Sequence, residues 1–420
     1  MGAEPAVAAP VPASVPPSYR RTLANRPFFL LWISQLVSQS GDFIFEVALL
    51  WLVLELTRSP FAVGIIVTGT ILPGVLLGPF LGVYIDRWDR RRTLLATNLV
   101  EGFVVAALSG IVLAGETSLG ILFVIVLLLG AGSNVVRTAT GAYVPSVVPV
   151  EDLPPANGLL SVSNSMNQVV GLSLGGIFVA LFGVTLPIEY DAVSFFAAAA
   201  LLALIPPVTA ARDGAPISAG FRAELAEGLA FIRKNRFMVD IILLGVLVNF
   251  FGNGLFAIIA PYTEFVLHGG ADVYGFLGAT LAVGAILGAG AMGRADLRRS
   301  AGTYLFGGGL GIGAAVLGLA VAGTVPEALG LMLAFGIVLS VTNIPITVVM
   351  QAKIPGRLLG RVSATFGAFV MMTSPAGPLF AGWLAQRWSV SGVFLLSGVV
   401  ILVVVGIGAV TMASLRHVQY

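Results

Sequence analysis

The chain has 420 residues, of which 57% are apolar and only 10% charged, against a charged share of about 25% in soluble domains. That balance excludes a soluble globular protein, and the 52 glycines suit membrane helices, whose backbones approach closely at small residues. The net charge is a small +2 and cysteine is absent, which excludes disulfides, thiolate metal sites and cysteine nucleophiles.

In chain order, positions 1–27 read as a disordered cytoplasmic tail. Its first 18 residues are rich in Ala, Pro and Val and lack the pattern of a signal peptide. A helix needs about 20 apolar residues to cross a bilayer. Runs of that kind fall at 28–56, 61–85, 93–114, 119–140, 157–182, 189–208, 238–261, 273–293, 302–322, 326–350, 358–384 and 390–412. With the N-terminus in the cytoplasm, every basic residue except Arg58 and Arg387 falls on the cytoplasmic side. That bias fixes the expected orientation and supports an even number of spans.

The spans divide into bundles at 28–208 and 238–412, joined by a cytoplasmic linker at 209–237. A short cytoplasmic tail follows at 413–420. In the linker, Phe221, Leu225, Leu229 and Ile232 recur at helical spacing, which predicts an amphipathic helix at the interface. The halves resemble each other at an offset near 210: Gly74, Gly78 and Asp86 fall on Gly284, Gly288 and Asp296, and Asn134 falls on Asn343. Pro145, Pro149 and Pro355 are expected in the turns that follow those asparagines. Two like six-helix halves around a central site form a known transporter plan.

Gly82-Val-Tyr-Ile-Asp86-Arg87-Trp-Asp-Arg90-Arg91-Arg92, between spans 2 and 3, resembles the Gly-x-x-x-Asp-Arg-x-x-Arg-Arg loop of the major facilitator superfamily. The stretch from Tyr143 to Leu159, the segment from Phe221 to Asn235 and Ser40-Gly41-Asp42 are similar to the macrolide-efflux and siderophore-exporter branch. The resemblance implies an all-α polytopic fold of twelve transmembrane helices in two pseudo-symmetric bundles. It also implies secondary transport without ATP, more often export than uptake, and a cavity lined by spans 1, 5, 7 and 11. One departure is in span 5, where Gly171, Gly175 and Gly176 are present but the Gly-Pro pair of the antiporter signature is not.

Span 1 carries Gln35, Ser38, Gln39, Asp42 and Glu46 on one helical face. A carboxyl in mid-span is costly and must face a cavity or a partner. Asp42 is therefore the expected proton-coupling group, with Glu46 one turn away as relay or substrate contact. The alternative is a structural hydrogen bond to a neighbouring helix. Glu101, Asn164, Gln168, Asn249, Asn253, Asn343 and Thr347 are candidates for the substrate cavity, and such groups serve equally as interhelical glue. Arg137 either pairs with Glu101 or snorkels to the interface. Gly82, Asp86, Arg87, Arg90, Arg91 and Asp296 are the candidate conformational gate, with Asp86 docking on the positive N-terminus of span 11 near Arg361. The competing reading is that the arginines only fix topology and attract anionic lipid.

No P-loop pattern is present and the two histidines, His268 and His417, lie far apart, so neither an ATPase nor an enzyme is expected. The expectation is a monomeric exporter of a hydrophobic or amphipathic, drug-like or macrolide-like molecule in the plasma membrane of a prokaryote. It would work by alternating access, with protons and lipids as its other partners. It would need no cofactor or metal beyond the proton gradient, and no nucleic acid. A dedicated siderophore or natural-product exporter, a lipid or lysolipid flippase, an uptake symporter and a non-transporting sensor are the alternatives.

Overall fold

The computed structural model describes residues 18–85, 88–206, 221–412 and 415, and the regular structure among them is helical. In chain order the helices are α1 (Tyr19–Ala24), α2 (Arg26–Thr57), α3 (Pro60–Ile85), α4 (Arg90–Leu113), α5 (Leu119–Val147), α6 (Leu153–Phe182), α7 (Thr185–Ala203) and α8 (Phe221–Lys234). They continue with α9 (Arg236–Phe265), α10 (Ala271–Met292), α11 (Leu297–Val321), α12 (Val325–Lys353), α13 (Gly356–Thr373), α14 (Ala376–Arg387) and α15 (Val390–Thr411). Among the described residues, 12 segments are long and apolar enough to cross a membrane, with α13 and α14 together forming one. This is the number read from the sequence.

Local signals set the helix starts. Asn25 accepts from the Phe28 amide at 3.3 Å, Asp89 from the Arg92 amide at 2.9 Å and Ser389 from the Gly392 amide at 2.9 Å. Each satisfies one amide left bare in a first turn. At the entry to α12, Glu327 reaches back to the amides of Gly323 and Thr324 at 3.1 and 3.2 Å.

Among the boundaries that differ from the sequence reading, four bear on the fold. Residues 19–24 of the expected tail form α1, capped by Ser18 and held to the chain before α6 by the Arg21–Asp152 ion pair. Pro145 lies inside α5 rather than in the turn, where a missing amide near the last turn costs the helix only one bond. The sixth span begins at Thr185, earlier than the carboxylates Glu189 and Asp191 suggested. The eleventh breaks between α13 and α14 at Ser374 and Pro375, because Pro375 and Pro378 each lack the amide that would bond one turn back.

The duplication is visible in the packing. In the first half α2 packs on α6 and α7, α4 on α5 and α7, and α3 on α5. In the second half α9 packs on α14 and α15, α11 on α12 and α15, and α10 on α12. The halves meet along two reciprocal seams, α6 against α10 and α3 against α14. A β-carbon added at Gly275 would stand 3.0 Å from Gly176 Cα, and one added at Gly382 would stand 3.3 Å from Gly64 Cα. Glycine at these four places lets the backbones touch, the usual device where lipid supplies no hydrophobic drive between helices.

Both seams lie toward the end away from the arginine loops. There Arg58 pairs with Glu264, Ser59 Oγ donates to Gln386 Oε1 at 2.9 Å and Thr68 Oγ1 donates to the Pro375 carbonyl at 2.9 Å. The linker helix α8 packs on α13, where Glu227 pairs with Arg361.

Candidate functional site

The polar stripe of α2 faces inward within the first bundle and forms one wall of a cavity of about 300 Å³. Gln35, Ser38, Gln39, Asp42 and Phe43 come from α2 and Glu101 from α4. Ser133, Val136, Arg137 and Thr140 come from α5, Leu160 and Asn164 from α6, and Phe195 from α7. These positions lie in the part of the bundle nearer the arginine loops.

The α2–α6 wall is fixed by direct bonds. Trp32 Nε1 donates to Ser163 Oγ at 2.8 Å, Asn164 Nδ2 to Gln39 Oε1 at 3.2 Å and Asn167 Nδ2 to the Leu36 carbonyl at 2.9 Å. Elsewhere the lining is under-bonded. Gln35 is only 6% exposed, yet among the described residues its Nε2 has no partner, and Thr140 Oγ1 has none either. Glu101 is 3% exposed and lies within electrostatic range of Asp42. Its carboxyl sits against the backbone of Gly132. Arg137 lines the same space but donates to Asn134 Oδ1 at 2.6 Å, so it does not form the pair with Glu101 that was one of its two readings. A pocket with two carboxyls, free amide and hydroxyl groups and apolar walls at Phe43, Val136, Leu160 and Phe195 can hold protons and an amphipathic or cationic guest.

The remaining sequence candidates fall elsewhere. Glu46 is exposed and lies one turn past Asp42, within electrostatic range of Tyr274 on α10, so it belongs to the region between the halves. Gln168 is half-buried on α6, outside the cavity lining. Asn249 and Asn253 do not line the cavity. Asn253 Nδ2 donates to Asn249 Oδ1 at 2.7 Å and Ser374 Oγ to the same oxygen at 2.9 Å, tying α9 to the break after α13. Asn343 and Thr347 are exposed on α12, where Thr347 Oγ1 returns to the Asn343 carbonyl at 3.2 Å. The cavity is thus built by one half, whereas the resemblance implied a space shared by spans 1, 5, 7 and 11.

Of the gate candidates, Asp86 and Arg87 lie outside the described residues. Gly82 is in α3, and Asp296 is exposed in the turn between α10 and α11. Arg90 Nη1 donates to the Ala142 carbonyl at 3.0 Å. Arg91 donates to the Leu202 and Ala203 carbonyls at 3.1 and 2.6 Å. Cations near the carbonyl ends of helices are favourable, and here they fasten α4 to α5 and α7 within one half. The sequence reading did not single out Asp191, which lies beside the cavity residues. Asp191 is 1% exposed on α7 and within electrostatic range of both Asp42 and Glu101.

Twelve membrane-crossing helices in two pseudo-symmetric bundles, with a polar cavity among them, define a transporter of the major facilitator superfamily. Residues 19–419 match the transmembrane secretion effector family of that superfamily, and the chain belongs to this family. It is a multi-pass membrane transporter and not an enzyme. It is 22% identical over 386 residues to macrolide efflux protein A of Streptococcus pyogenes, covering 89% of this chain and 93% of that one. It is 24% identical over 405 residues to the multidrug efflux pump Tap of Mycolicibacterium fortuitum, covering 94% and 97%. A variant of the nucleoside transporter NupG superposes with a TM-score of 0.72 at 11% identity, over 92% of this chain and 99% of that one. At that identity the likeness concerns the fold alone.

Proposed function

We propose that this transporter exports a hydrophobic or amphipathic small molecule in exchange for protons, by alternating access, as a monomer with both termini in the cytoplasm. The observation that carries the reading is the cavity that joins Asp42 and Glu101 to apolar walls in the first bundle, toward the arginine-rich end. Segregation of arginine to that end supports its cytoplasmic orientation. The halves are in backbone contact at the opposite end, so a guest would enter from the cytoplasm and leave after the glycine seams part. The efflux named for the two relatives supports export. Asp42 is the proton-coupling group in this reading, with Glu46 as a relay toward the second half. No cofactor is required.

The direct test is accumulation of a macrolide and of a lipophilic cation in cells and in inverted vesicles that carry the protein. Energised vesicles should take up at least one of them, and uptake should collapse with a protonophore. Uptake of neither, together with uptake of nucleosides into intact cells, would overturn the export reading.

A further inference from the structure

Asp191 has surroundings that its role as a helix residue does not explain. It lies inside α7, which packs on α2, α4 and α6, and it is 1% exposed. Its Oδ1 receives the Ser194 hydroxyl at 3.3 Å, while that hydroxyl also donates to the Asp191 carbonyl at 2.8 Å. Its Oδ2 is buried and has no partner among the described residues. The carboxyl rests on the α2 backbone at Gly41, the residue before Asp42, where a β-carbon would collide with Asp191 Oδ1 and Ser194 Oγ.

The groups that face it are all acidic or neutral. From α2 comes Asp42, with Glu46 a turn beyond, and from α4 comes Glu101; α6 carries no titratable residue. On α7 itself, Glu189 accepts from Ser109 at 3.4 Å and Tyr190 meets Ser40 at 3.2 Å. Among the described residues Asp191 forms no ion pair. A lone charge on Asp191 beside Asp42 and Glu101 is unfavourable, because Asp191 is sealed from the cavity and an unpaired buried charge is strongly costly. The unpartnered Gln35 Nε2, on the wall shared with Asp42, marks the same place as one with a binding group to spare.

The geometry points to Asp191 as a second proton-holding carboxyl of the first bundle, which exchanges its proton with Asp42 during the cycle. The inference rests on the proton-coupled reading above. In the step, the O–H bond of the Asp191 acid breaks, an O–H bond forms on the Asp42 carboxylate, and the negative charge passes to Asp191. Water reaches Asp42 from the cavity, whereas Asp191 is sealed from it, so Asp191 stores the proton while Asp42 meets solvent or the guest. Asp191 is a positioning residue in this scheme, since it acts through Asp42.

The test uses infrared difference spectra of the full-length protein in liposomes between acidic and alkaline buffer, with no guest added. The carbonyl band of a protonated carboxyl is assigned to Asp42 by its loss in Asp42→Asn. Asp191→Asn should remove one further band and shift the pH midpoint of the Asp42 band, while Asp191→Glu should restore that midpoint. If Asp191→Asn fails to fold, Ser194→Ala serves instead, because it removes only the hydroxyl donor. It should shift the Asp191 band and move the Asp42 midpoint with it. Retention of every band with an unchanged Asp42 midpoint would overturn the inference. Guest-driven proton flux, measured separately on wild type, tests the export reading. Coupled bands without such flux would leave Asp191 as proposed and reject the transport coupling.

Discussion

Gly41 shows how tightly one position is specified. The α2 and α7 backbones enclose the Asp191 carboxyl and the Ser194 hydroxyl, and a β-carbon at Gly41 would stand 2.9 Å from Ser194 Cβ. Gly41→Val should therefore destabilise the bundle by about 1–3 kcal/mol, the usual range for overpacking. Gly110→Ala, where nothing lies within 4 Å, should be close to neutral. Thermal melting of the purified variants in detergent checks the contrast, and equal melting temperatures would reject the packing. The cavity stripe Gln35, Ser38, Gln39 and Asp42 was legible in the sequence because a polar face on an apolar helix needs a polar neighbour. Glu101 and Asn164 were legible for the same reason. Asp191 obeys the same rule and was missed, because a span drawn at 189–208 puts it at a helix end, where a charge is unremarkable. Glu46 shares the Asp42 face, but at its level α2 meets α10, and only tertiary structure reveals such a change of neighbour.

At the scale of elements, most helices were legible because their length and apolar content leave no other structure in a bilayer. The exceptions are instructive. Proline signalled a turn at Pro145, yet α5 carries it inside its last turns. The eleventh span read as continuous, yet it parts at Ser374 and Pro375. That break is held from both sides. Asn249 accepts from Ser374, and Thr68 of the first half donates to the Pro375 carbonyl that the break exposes. Its counterpart α6 is unbroken, so the two reciprocal seams are not equivalent. Asn249 and Asn253 fitted both a cavity wall and helix glue at the level of sequence. The bonds to Ser374 show them tying α9 to the break after α13.

At the scale of the molecule, the offset near 210 announced two similar halves, but not how they meet. The contact is made by the two glycine seams and by the Arg58–Glu264 pair across the halves. That pair exists only while this end is closed. Arg58 is 69% exposed, so the pair is worth about 0.2–1 kcal/mol, enough to shift the closed-to-open ratio by at most about fivefold. The chain has no cysteine, so Ser59→Cys with Gln386→Cys gives a background-free reporter where the two side chains meet at 2.9 Å. Arg58→Glu should lower the disulfide yield of that reporter, and adding Glu264→Arg should recover it. A yield indifferent to both changes would remove the pair from the gate.

The central claim is that movement of a guest is tied to a proton on Asp42. Its most direct test is guest-driven proton flux in proteoliposomes that contain a pH-sensitive dye, with a lipophilic cation and a macrolide as guests. Wild type and Asp42→Asn are compared at equal protein content. The account predicts that guest added to one side draws protons from the other side toward it in wild type and that Asp42→Asn loses this flux. Transport of either guest at the same rate in both proteins, without proton movement, would contradict it.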